Sequence, residues 1–156
     1  LDPNETMLVG TAYGCSTDEG YLDAKVSTLN PNFAAVIIDL LIQAGVEQGD
    51  TIALAYTGSI PGANIAVLAA CEIMDVKPVI ISSVGASWYG ATDTNFTWLD
   101  IENELYDEKI FSHKSLMASI GGKSDLGRGL TRECQEALQS AISRNDLNLI
   151  SIGRAS

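Results

Sequence analysis

The sequence predicts a single α/β domain over residues 1–156, built on an open, mostly parallel sheet with helices on both faces. Three observations lead there. Residues 51–56, TIALAY, form an apolar run without alternation, the pattern of a strand buried on both sides in a parallel sheet. The turn Gly58-Ser59-Ile60-Pro61-Gly62 follows and opens an Ala-rich stretch to about Asp75. Ser59 is the candidate cap, and Pro61 lies in the first helical turn, where its missing N–H costs little. Residues 79–85 then read as a second buried strand. Strand, turn, helix and strand make a unit with a right-handed crossover, and repeats of it give a Rossmann-like, three-layer sandwich.

The flanking chain extends this unit. Residues 6–12 read as a first strand and 13–28, rich in Gly, Ser, Thr and Asp, as irregular. Asn30-Pro31 starts a helix over residues 33–44, with Phe33, Val36, Ile37, Leu40, Leu41 and Ala44 at helical spacing and Gly45 at its end. Its wide apolar face predicts burial on most sides or a subunit interface. Residues 85–97 form a long loop, and Thr97 caps a helix over 98–109 with an acidic, solvated face. Residues 115–120 read as a strand or a helical turn, and 121–129 as a glycine-rich loop. Thr131 caps a helix to Arg144, and residues 147–152 close the sheet.

Composition narrows the function. The net charge of −11 argues against nucleic acid and anionic lipid as partners, since both need concentrated Lys and Arg. No apolar run reaches the 18 residues of a membrane span. Seven of the nine basic residues lie at Lys109 or later, which leaves room for a local anion site. Cys15, Cys71 and Cys134 are odd in number and widely spaced, and there is one histidine. That pattern suggests neither a zinc site nor a particular disulfide, and Cys71 reads as a core residue. No cofactor or metal is expected.

The candidate site is the carboxyl edge of the sheet, where such folds bind ligands. Gly58, Ser59, Gly62 and Asn64 surround the first strand-to-helix turn, whose free N–H groups suit an anion. Ser82, Ser83 and Gly85 end the next strand at the same edge. The segment Cys15-Ser16-Thr17-Asp18 offers further hydroxyl and backbone groups. Trp88, Tyr89 and Asp93 are candidates for a lid, and Lys123, Arg128 and Arg132 for clamping a carboxylate or phosphate. Ser59 is also a candidate nucleophile. The surrounding residues depart from Gly-x-Ser-x-Gly, however: Tyr56 stands at the first glycine and Gly62 comes one place late. His113 reads as a surface residue.

Three blocks carry a resemblance. GYLDAKVSTLNPNFAAV from Gly20, YTGSIPGANIAVLAA from Tyr56 and KPVIISSVGASWYGA from Lys77 together resemble the bacterial poly-gamma-glutamate system protein family. The resemblance runs from about Leu8 to Ile150. It implies an accessory role in making or exporting poly-gamma-glutamate, beside the other proteins of that system, in a membrane-associated domain outside the cytoplasmic membrane. It also implies an anchor upstream of Leu1, and the sequence leads us to expect a C-terminal extension. It supplies no catalytic residues. Two readings remain. One is a non-catalytic subunit that binds a small glutamyl-like anion or a partner protein, with a homo-oligomer through the 33–44 helix as a further expectation. The other is a hydrolase or transferase of gamma-glutamyl bonds using Ser59.

Overall fold

The computed structural model describes residues 8–12 and 14–150. The elements are α1 (Leu22–Ser27), α2 (Phe33–Gln43), β1 (Thr51–Thr57), α3 (Pro61–Met74), β2 (Lys77–Ser83), α4 (Trp98–Asp107), β3 (Met117–Ser119), α5 (Arg132–Arg144) and β4 (Asn148–Leu149). The four strands form one sheet in the order β1-β2-β3-β4, with every neighbouring pair parallel. The domain is therefore α/β with a parallel sheet, as the central unit predicts.

Local chemistry explains the boundaries. Pro61 occupies the start of α3, and Asp75 ends that helix in the left-handed conformation. Thr97 and Asp100 form a capping box at the start of α4, and the Thr131 hydroxyl accepts the Cys134 N–H at the start of α5. Ile60, not Ser59, is the N-cap of α3, because the Ser59 hydroxyl is engaged elsewhere.

Right-handed crossovers in this strand order carry α3, α4 and α5 to the same side of the sheet. The core lies there. Tyr56, Ile80 and Ala118 of the strands pack with Leu68, Trp98, Leu99, Ile101, Leu138, Ala141 and Ile142 of the helices. The opposite face of the sheet is exposed: Ala53, Ala55, Val79, Ile81 and Met117 lie on it and are joined by register. The expectation that β1 and β2 are buried on both sides is thus corrected, since β2 also alternates between buried and exposed residues. β1 is an edge strand whose residues alternate between the core and the open face.

Other expectations also change. Residues 13–28 are not wholly irregular, since α1 lies within them. α2 has no buried residue and leaves Val36, Leu40 and Ile42 exposed, because α3 is its main neighbour. Lys77-Pro78 does not merely end a helix but opens β2. The first strand expected over residues 6–12 falls partly outside the described residues, and its described portion, 8–12, is not a strand. β4 is confined to Asn148–Leu149, and residues 151–152 lie outside the described residues. No helix among the described residues is long and apolar enough to cross a membrane.

Cys15 and Cys134 form a disulfide with Cα atoms 5.3 Å apart, while Cys71 is free and buried. The bond fastens the segment before α1 to the first turn of α5.

Candidate functional site

β1 and β2 end side by side, with Thr57 and Ser83 as register partners. Both continue the alternation of the open sheet face, so their side chains emerge where that face meets the carboxyl edge. Ser59 and Gly85 follow in the two turns. Thr17 and Asp18 close one side, where Thr17 N–H donates to Ala86 O and Trp88 N–H to Asp18 O. Gly122 and Lys123, in the loop after β3, close another. These eight residues line one cleft of about 470 Å³.

The cleft is rich in hydroxyls. The Ser83 hydroxyl makes no hydrogen bond among the described residues. Gly121 sits against it at φ +83°, and a Cβ there would collide with Ser83 Oγ. The Ser59 hydroxyl accepts from Thr57 Oγ1 at 3.1 Å and from the Ser87 N–H at 3.0 Å, and Thr57 Oγ1 in turn accepts the Ser59 N–H at 3.2 Å. Asp18 and Lys123, both exposed, give the cleft wall one charge of each sign.

Behind the Ser59 wall lies Lys25, only 5% exposed. Its ammonium donates to Ser59 O at 2.6 Å and to Ser87 Oγ at 2.8 Å, and it forms no ion pair among the described residues. Burial pushes its pKa down. Lys25 lies on α1, in a stretch that reads as polar loop, so no periodicity flagged it. A lysine becomes conspicuous only when tertiary packing encloses it without a carboxylate.

The predicted site residues divide clearly. Ser59, Ser83, Gly85 and Lys123 meet in the cleft, joined by Thr17, Asp18, Thr57 and Gly122. Gly58 is buried, donates its N–H to Ser83 O at 2.8 Å and leaves no space for a Cβ against Val84 O. It brings the two strand ends together without facing the cleft. Gly62 packs on Thr28 and Leu29, so chain after α1 covers the first turn of α3. Asn64 is buried and donates Nδ2 to Thr57 O at 2.9 Å, tying α3 to the end of β1.

Ser82 lies on the opposite side of β2 from Ser83. It is fully buried in the core, 2.7 Å from Ser115 Oγ, and accepts Trp98 Nε1–H at 3.2 Å. Asp93 accepts the Asn95 N–H and lines a separate cleft of about 630 Å³ with Gly10, Thr92 and Phe96. Trp88 and Tyr89 are half-buried and join the chain before α1 through backbone bonds to Asp18 and Thr11. Arg128 contributes a main-chain oxygen to Lys123 N–H and is otherwise exposed, and Arg132 pairs with Glu136 on the surface of α5.

Serine catalysis requires a proton acceptor on the nucleophile. The hydrogen-bond partners of the Ser59 hydroxyl are Thr57 and the Ser87 N–H, with no imidazole, carboxylate or amine among them. His113 stands beside Glu72, with Nδ1 3.8 Å from Oε1. Among the described residues no group of three or more His, Cys, Asp and Glu is arranged to hold a metal. The chain matches no protein-family profile, no curated protein and no solved structure.

Proposed function

We propose that this chain is a non-catalytic accessory component of a poly-gamma-glutamate synthesis or export system, and that its cleft holds a small glutamyl-like anion such as the end of the polymer. The observation that carries this reading is the meeting of Ser59 and Ser83 at the carboxyl edge of the sheet, between Asp18 and Lys123. Four hydroxyls flanked by one acid and one base suit a molecule bearing both an ammonium and a carboxylate. The net charge of −11 repels a polyanion at long range and so favours a pocket for a chain end over a broad polymer track. The family resemblance carried by the Gly20, Tyr56 and Lys77 blocks supplies the biological setting.

The Cys15–Cys134 bond fits an oxidising compartment outside the cytoplasmic membrane, while association with the membrane rests on the family resemblance alone. The other proteins of that system are the proposed partners.

Calorimetric titration with gamma-glutamylglutamate tests the binding. Saturable binding without release of free glutamate is expected, weakened about tenfold or more in Ser83→Ala and in Lys123→Ala, since each removes a hydrogen-bond donor to the ligand. Hydrolysis that disappears in Ser59→Ala would overturn the reading in favour of a hydrolase or transferase.

A homo-oligomer through α2 is a second reading, favoured by the exposed Val36, Leu40 and Ile42 on a helix with only one charged residue, Asp39. Light scattering at rising concentration is expected to give a mass above that of one chain, and Leu40→Glu to restore the monomer. A strict monomer throughout would exclude this interface.

A further inference from the structure

We propose that Lys25 is a positioning residue which makes the Ser59 hydroxyl an obligate hydrogen-bond donor, and that this gives the cleft its selectivity for anionic oxygen. The inference rests on the cleft being the ligand site.

A serine hydroxyl has one hydrogen to donate and two lone pairs that accept. At Ser59 both lone pairs are occupied, by Thr57 Oγ1–H and by the Ser87 N–H. Thr57 Oγ1 cannot turn away freely, because it also accepts the Ser59 N–H. What remains at Ser59 is the hydroxyl hydrogen, at a position lining the cleft. A ligand atom meeting it must be an acceptor. An ammonium or amide N–H there would face a group with nothing left to accept it, and mismatched donors of this kind are strongly rejected.

Lys25 holds the arrangement from behind. One N–H fixes the Ser59 carbonyl and a second fixes Ser87 Oγ, so the lysine grips both residues whose mutual bond occupies Ser59 Oγ. The third ammonium hydrogen has no acceptor among the described residues. The charge is enclosed and has no carboxylate counterpart among the described residues, so it is poorly screened and its field reaches the adjacent cleft. Donor-only chemistry and an uncompensated positive charge then act together at the Ser59 wall. Both favour carboxylate or phosphate oxygen, on a protein whose overall charge would otherwise repel such ligands.

A purely structural lysine that only staples α1 to the turn after β1 would affect stability and all ligands alike. Selectivity separates the two roles. The test compares glutarate with its uncharged diamide, and adds inorganic phosphate as a second anion, by calorimetry on the oxidised chain. The wild-type chain is expected to prefer glutarate over the diamide at least tenfold. In Lys25→Met that preference is expected to fall at least fivefold, while diamide affinity stays within about twofold. Lys25→Arg is expected to restore most of the preference. Ser59→Ala, which leaves Lys25 in place, should lose the preference as well, and carries the test if Lys25→Met does not fold.

Unchanged selectivity in Lys25→Met and Ser59→Ala overturns the proposal while leaving a ligand-binding cleft intact. Binding of phosphate without glutarate overturns the glutamyl-like reading; the role of Lys25 then stands if phosphate affinity falls at least fivefold in Lys25→Met and is overturned if that affinity is unchanged. Binding of neither anion overturns both.

Discussion

Replacing Cys15 and Cys134 by serine is expected to lower the stability of the domain by about 4 kcal/mol, because the bond closes a loop across a separation of 119 residues. For a domain of this size that corresponds to a fall in melting temperature of roughly 10 °C. The consequence reaches the cleft. Cys15 immediately precedes the segment that carries Thr17 and Asp18 to the ligand, and without the bond that segment is held mainly by backbone bonds to Ala86 and Trp88. Affinity for gamma-glutamylglutamate should therefore drop by more than the Ser83→Ala variant alone loses. Thermal unfolding with and without reductant, followed by titration of the reduced chain, measures both effects. Cys71 is buried in α3 and does not confuse the comparison. A reductant-insensitive melt with unchanged affinity would contradict the role given to this bond.

Acid is expected to weaken the fold through Asp100. Burial works against ionisation of its carboxyl, but bonds from Arg144, Asn145 and Thr97 outweigh it and bring the pKa from 3.8 down to about 2. A carboxylate whose pKa is depressed in the folded state contributes stability that is fully present well above its unfolded pKa. That contribution is lost as pH falls from about 4 through 2, and the shift corresponds to about 2 kcal/mol. Asp100 caps α4 and binds the end of α5, so its protonation loosens the helical layer behind the sheet. Asp100→Asn should be less stable at neutral pH and show a flatter stability profile between pH 4 and pH 2. Chemical denaturation across that range checks it. Identical acid profiles for the two proteins would remove Asp100 from this role.

The parts of the fold legible in the sequence are those set by local chemistry. The Gly58–Gly62 turn, Pro61 at a helix start, and the caps Thr97 and Thr131 are decided within a few residues, and the structure places them as expected. Ser59 and Ser83 were legible as cleft residues because the carboxyl ends of adjacent parallel strands lie together. Ser82 and Ser83 could not be told apart. A continuous apolar run hides the two-residue alternation, and a single step along β2 separates the core from the cleft. The Cys15–Cys134 pairing depends on a chain return that spacing does not reveal. Lys25 carries no signal in the sequence, since its burial without an ion pair among the described residues exists only once α1 is packed over the Ser59 turn. The exposed face of α2 reflects what packs against it, which its own periodicity does not specify.

The central claim is that Ser59 and Ser83 belong to one ligand cleft, and amide chemical-shift mapping during titration with gamma-glutamylglutamate tests it most directly. The amides of Thr17, Ser59, Ser83, Gly85, Gly122 and Lys123 are expected to move together along one saturation curve. Shifts confined to the separate cleft around Thr92 and Phe96, or to α2, with these six amides still, would contradict it.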